Sequence, residues 1–494
     1  MNLLLIANII ITSNNKGNEV WTSNGPMGGF LQCIEYNFNG YIYIGTLGNG
    51  VYRKLRFSGP WQPANQGIEP LSIASLKSLG RDSIFAGSED YGLFFTMNGG
   101  FNWLAHPDIP SITVNDIFAF TVARNIMLLA TDWGIFRSTN RGTNWQQVDS
   151  ISGVTCIASP RDTYAFCGTK YRGIYYSSNF GVNWNRLINQ PDNDINDMKF
   201  ITKLLTTYFY VGSDRGLFYS TDFGNTWQQT MLRNISIARI DYSRDTIYVS
   251  TFGGAIWRST VDNPNSFIQL KNGLSSVIVT DMFTPSSTEL YATTAGGFFY
   301  SINQGSLWIE DLAGLNIQYI EDVEVLYGGR IFAASLGGGI YRSLDNGGSW
   351  QRTDSVPQMS ILLSLAVNPN NANNMIAGTV FDLVYITTDG GTNWRYSIID
   401  TIVNTGNVYC IAIDSINPVM VFAGTDSGFY RSVNGGQNWL HIPSIPRTPV
   451  YDICIDPRNN QILYTATADR IYKSNDGGRN FVAASLGLPP SCQT

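Results

Sequence analysis

Apolar residues in this chain come in runs of four to eight, rich in Ile, Val, Phe, Tyr and Thr and broken by Gly, Asn, Asp or Ser. Residues 114–148 show the pattern: VNDIFAF (114–120), NIMLLAT (125–131), GIFRST (134–139), then WQQV (145–148). Runs of this length and composition predict β-strands. No window carries a helical stripe of apolar residues at i, i+3, i+4 and i+7, so no helix is expected. The four-run grammar then repeats. An aromatic closes each unit, at Trp21, Trp61, Trp103, Trp145, Trp184, Trp227, Phe267, Trp308, Trp350, Trp394, Trp439 and Phe481. Successive marks lie 39 to 45 residues apart and enclose eleven units. Four short strands per period of that length predict an all-β chain built of eleven β-propeller blades.

Before most of these aromatics stands a polar box of the form S-x-D-x-G-x-x-W. It reads STDFGNTW (220–227), SLDNGGSW (343–350), TTDGGTNW (387–394) and SNDGGRNF (474–481), with Asp222, Asp345, Asp389 and Asp476 in the acidic place. Asn98, Asn140, Asn179, Asn303 and Asn434 fill that place in five other copies. The box joins the third strand to the fourth. There Asp or Asn can accept main-chain N–H bonds and fix the turn, and the Gly takes a backbone conformation that a Cβ penalises. An amide cannot act as acid, base or nucleophile, so the exchange of Asp for Asn marks the box as structural.

At these residues the chain resembles the BNR or Asp-box repeat families. These include sialidases, sortilin-type receptor propellers, family 74 glycoside hydrolases that cleave xyloglucan, and photosystem-assembly propellers. The resemblance runs over about residues 19 to 488 and implies fold rather than activity, because these relatives share the box and differ in what they do.

Eleven blades exceed the usual ring of four to eight. Two rings in tandem are expected, with one large ring of 10–12 blades as the alternative. The unit IWRSTVDNPNSFIQL (256–270) has lost its box, which places the expected seam there. Ring one would take residues 19–267, with a strand around Trp21 latching it, and ring two residues 268–488, leaving a tail at 489–494. Residues 1–18 read as a degenerate or truncated signal-like leader.

Composition narrows the function classes. A formal charge of −6 argues against nucleic acid. With only His106 and His441, a histidine zinc centre and a Ser-His-Asp triad are not expected. No phosphate-binding loop occurs, so neither cofactor nor metal is expected, and no segment is long and apolar enough to span a membrane. Charged residues make up 14% and aromatics 13%, a balance that suits an exported protein, whether secreted, periplasmic or on the cell surface. Cys33, Cys156, Cys410 and Cys454 fall on first strands and Cys167 on a second strand. They read as buried core residues, with a Cys156–Cys167 pair across a hairpin as the alternative.

Box turns occupy one face of a propeller, so the turns between strands two and three occupy the other. Charged and aromatic residues gather in four consecutive turns on that opposite face: Glu89, Asp90 and Tyr91; Asp132 and Trp133; Lys170, Tyr171 and Arg172; Asp214 and Arg215. Aromatic platforms beside such charges suit a glycan or an extended peptide. The expected function is therefore non-catalytic binding of glycan or protein. The alternative is a hydrolase resembling family 74, with its two carboxylates drawn from Glu89, Asp90, Asp132 and Asp214 or from Asp382, Asp426 and Asp469. Uniform blade lengths leave no long insertion to wall a cleft, which weighs against that alternative. IPRTP (445–449) is only a faint likeness to the sialidase arginine motif.

Overall fold

The computed structural model describes residues 29–485 apart from 69–70, 122, 124, 161–162, 275, 277, 316–319, 327, 337, 354–360, 381–382 and 401–405. Trp21, the leader and Cys492 lie outside the described residues. Within them, 44 strands form eleven four-stranded antiparallel sheets, each made of four strands consecutive in the chain. These are the eleven blades. Their inner strands begin at Leu31, Ile73, Val114, Val154, Ile195, Ile237, Val279, Ile320, Leu362, Val408 and Val450.

Every inner strand is bulged between its first and third residues, as at Leu31/Cys33 and Ile195/Asp197. The extra residue at position two leaves the ladder and its side chain is re-aimed. Position four then faces the preceding blade, and positions three and five face the following one. Ile34 packs with Tyr291 of blade seven, for example, and Cys33 packs with Ile73 of blade two.

One contact recurs between neighbours: a large apolar residue on strand two packs with position four of the next blade. In chain order the pairs are Tyr43 with Leu76, Phe85 with Ile117, Leu128 with Ile157, Phe166 with Met198, Tyr210 with Ile240 and Tyr248 with Met282. Tyr291 of blade seven then meets Ile34 of blade one, and the ring closes. The pairs resume at Phe332 with Leu365, Ile376 with Ile411 and Phe422 with Ile453. Blades one to seven are thus a closed ring, and blades eight to eleven an arc. Tight approach makes this possible. A Cβ on Gly212 would lie 2.5 Å from Cγ2 of Ile237 in the next blade, so strand two must offer a bare backbone there.

The seam expected at 267/268 falls inside the ring. Blade six has lost its box by divergence alone: Phe267 is still buried and Leu270 still packs with blade seven. The true closure is bonded by groups far apart in sequence. Lys54 Nζ lies 2.5 Å from Asp311 Oδ2, Arg56 pairs with Glu289, and the Trp61 indole donates to Asp311 O at 3.0 Å.

The nine boxes share one geometry. In blade five, Ser220 Oγ donates to Asp222 Oδ1 at 2.7 Å and accepts the N–H groups of Asp222 and Gly224, while Asp222 Oδ1 accepts the Thr226 N–H. Asn98 repeats it with Thr96, Gly100 and Asn102. The amide does what the carboxylate does. Cys156 and Cys167 are free and lie in different inter-blade cores, because Cys156 pairs with Gly168 rather than Cys167. Cys454 departs from the expected burial and is exposed.

Candidate functional site

The turn from strand two to strand three opens on Ser or Thr in all eleven blades, fully buried or nearly so. Its hydroxyl donates to the carbonyl three or four residues on, as Thr131 Oγ1 does to Gly134 O at 2.7 Å and Ser88 Oγ to Gly92 O at 2.8 Å. This fixed post holds the turn tip out from the blade. The signal is legible in the sequence, since every such turn begins with S or T.

The bulge supplies the second support. Position-two side chains reach this same end of the blade and tie it together. Asn115 Nδ2 donates to Asp132 Oδ1 and to Val154 O of the next blade, both at 2.9 Å. Asn196 does the same to Asp214 Oδ1 and Ile237 O at 3.0 Å. Gln32 Nε2 donates to Glu89 Oε1 at 2.7 Å across a blade boundary.

These bonds sort the expected site residues. The carboxylates are held by their own scaffold. Asp214 also accepts from Ser236 Oγ at 2.6 Å; burial opposes its charge, but the bonds from Ser236 and Asn196 prevail and its pKa is lowered. Asp90, at φ 63°, accepts from Thr113 Oγ1 at 3.2 Å. Glu89 differs. Burial raises its pKa, with Asp90 and Asp132 adding to the rise and Gln32 opposing it. Arg215 reaches outward, 3.8 Å from Asp192, and Lys170 Nζ lies 5.7 Å from the Tyr171 ring centre. Arg172 is held at the turn by its N–H to Thr169 Oγ1.

Among the described residues the aromatic side chains carry no such hydrogen bonds. Tyr91, Trp133 and Tyr171 are 59%, 61% and 68% exposed, on three successive blades of one ring face. Phe252 of blade six, 41% exposed on the same face, is a further platform that its glycine-rich turn concealed in the sequence. Of the second carboxylate set, Asp426 accepts from the Asn407 N–H and Tyr409 OH, and Asp469 is bonded by Thr467 and Arg470. Asp382 lies outside the described residues. Among the described residues no three His, Cys, Asp or Glu side chains converge to hold a metal ion.

A wall is present that blade lengths did not reveal. Phe30, Leu47, Ile278 and Ala295 of blades one and seven pack with Leu336, Ile361, Leu363, Val380 and Tyr409 of the arc. Turn-side residues of both units meet there, so the arc covers the ring's turn face at blades one and seven. The aromatic series on blades two to four lies beyond that contact.

Comparison with known proteins bears on the fold. No family model and no curated protein matches the chain. Among solved structures it is similar to the GH74 xyloglucanase of Xanthomonas campestris, at 15% identity and TM-score 0.60, covering 96% of this chain and 83% of that one. It is also similar to the GH74 enzyme of Niastella koreensis, at 17% identity and TM-score 0.54, covering 93% and 79%. An ancestral GH74 enzyme matches at 15% identity and TM-score 0.55, covering 95% and 78%. These likenesses show the fold that the Asp-box resemblance implied: the chain is a multi-blade β-propeller.

Proposed function

We propose that this chain is a binding propeller that takes an extended glycan or peptide along Tyr91, Trp133 and Tyr171. One observation carries the reading. Three successive turns each present an exposed ring, while the carboxylates beside Trp133 and near Tyr91 are bonded to their own scaffold. Rings at blade-to-blade spacing suit stacking on sugar faces or apolar side chains, and Lys170 and Arg215 supply charge at one end. An exported location fits a ligand of this kind. No described helix is long and apolar enough to cross a membrane, which leaves the chain's anchoring open.

Hydrolysis is the second reading, and Glu89 favours it. Burial raises its pKa, as a general acid requires. Incubation with xyloglucan and related glucans, assayed for new reducing ends, separates the two. Binding without release, weakened at least tenfold by Trp133→Ala or Tyr171→Ala, is the expected result. Release of reducing ends, abolished by Glu89→Gln, would establish the hydrolase instead.

A further inference from the structure

Basic side chains of the turn face gather at one end of the aromatic series. Lys170, Arg172 and Arg186 stand on blade four and Arg215 and Arg233 on blade five, and the four arginines are exposed. Arg186 Nε donates to Arg172 O at 3.2 Å and Arg233 Nε to Thr230 O at 3.3 Å, so both are held at the turns by Nε alone. Among the described residues only Arg215 of the five pairs with a carboxylate, 3.8 Å from Asp192. The other acids at this end do little to offset the charge. Asp214 is bonded by Asn196 and Ser236, and burial, with Asp214 adding, raises the pKa of Asp194. In a chain of formal charge −6, this end of the series is a local excess of positive charge.

Main-chain groups at the turn tips are already bonded. The N–H groups of Trp133, Arg172 and Arg215 donate to the hydroxyls of Thr131, Thr169 and Ser213 at 3.3, 3.0 and 3.1 Å. Their carbonyls accept from Gln147, Arg186 and Gln229 of strand four at 2.8, 3.2 and 3.1 Å. A peptide that binds by main-chain pairing therefore finds no ladder at these tips. What the tips present is flat rings and guanidinium forks. Rings stack on sugar faces, and a guanidinium fork matches a carboxylate or a sulfate with two parallel bonds.

We infer that the ligand is an anionic glycan, stacked on Tyr91, Trp133 and Tyr171 and held through its carboxylate or sulfate groups by the arginines of blades four and five. This rests on the binding reading of the aromatic series and goes further by fixing the ligand's class and charge. Glu89, Asp90 and Asp132 stand at the other end of the series, on blades two and three, so the ligand's anionic groups are directed to blades four and five.

Titration calorimetry of the full chain with polygalacturonate, dextran sulfate and carboxyl-reduced polygalacturonate tests this. At least one anionic polymer should bind about tenfold tighter than the neutral one, and less tightly as salt is raised. The double variant R172Q/R215Q should remove that tenfold advantage and leave affinity for the neutral polymer unchanged, whereas W133A should weaken both. Circular dichroism and melting should not move, since these side chains are exposed. Equal binding of neutral and anionic glycans, weakened by W133A but indifferent to the arginine substitutions, would overturn the inference and leave the binding reading standing. Binding of none of these polymers would overturn both. Polyglutamate or single-stranded DNA binding as tightly as the better anionic glycan would make this a general anion surface and overturn the assignment to a sugar.

Discussion

The ring and the arc are made of one blade, yet they end differently. In the ring, the third positions of the inner strands bring Arg239 among Asp116, Asp197 and Asp281. Arg239 Nε lies 3.4 Å from Asp281 Oδ1, and although burial opposes its charge the three carboxylates outweigh it and raise its pKa. In the arc the same positions hold Asp322, Ser364, Cys410 and Asp452, with no cation among them. Burial, with Asp452 contributing, raises the pKa of Asp322. Closure adds ion pairs to the ring that the arc has no counterpart for. A blade is a local product of its own strands; a ring depends on groups that meet only when the last blade reaches the first.

The largest expected effect is at the closure. Lys54 and Asp311 are both mostly buried, and removing one member of such a pair costs about 3 kcal/mol, roughly 5 °C in the melting transition of a ring this size. Lys54→Met should therefore lower that transition in calorimetry and leave the arc's in place. Arg239→Met comes next, at about 2–3 kcal/mol, because its side chain is only partly buried and solvent screens the carboxylates it leaves behind. Below these stands Ser343→Ala in the arc, which strands the N–H groups of Asp345 and Gly347 and should cost about 1–2 kcal/mol; Ser220→Ala should cost the ring as much. Asp345→Asn should have the smallest effect in denaturant titration at pH 7, a loss of the charge's contribution only, since Asn fills that place in five boxes and keeps the turn bonds.

Acid sharpens the comparison further. Hydrogen bonds from Thr226, Ser349, Asn393 and Asn480 help hold the box carboxyls of Asp222, Asp345, Asp389 and Asp476 at about 2. A pKa lower in the folded state gives stability that is present above about pH 4 and lost as pH falls toward 2. Three of these four lie in the arc. Glu324 of blade eight works the other way: burial, with Asp322 adding, raises it to about 7, so its contribution is lost as pH rises from about 4 through 7. Calorimetry across pH should show the arc's transition falling before the ring's on the acid side.

Blades, boxes and the orientation of the two faces were legible because each is local. Strand runs, turn residues and the Asp/Asn exchange lie within one repeat, and period alone counts the repeats. The division into seven and four was not legible. Val323 of blade eight, 50% exposed, is as apolar as its buried counterparts, so nothing in the sequence marks blade eight as the start of a second unit. The bonds that close the ring join Lys54 to Asp311 and Arg56 to Glu289, across most of its length, with no local signature. The degenerate box at 256–270 drew the seam because it was the visible irregularity, yet a lost turn bond does not interrupt packing between blades. At the site, turn tips were legible as a face. Which carboxylates were already bonded was not, because their partners Asn115, Asn196 and Ser236 owe their aim to the bulge or to a connection between blades.

The central claim is that seven blades close within one chain. Electron-microscopy class averages of the purified protein test it most directly. A seven-lobed ring in each chain, with the four remaining blades set against its face, is the expected result. A ring of six lobes ending before Ile268, or a single ring of eleven, would contradict it.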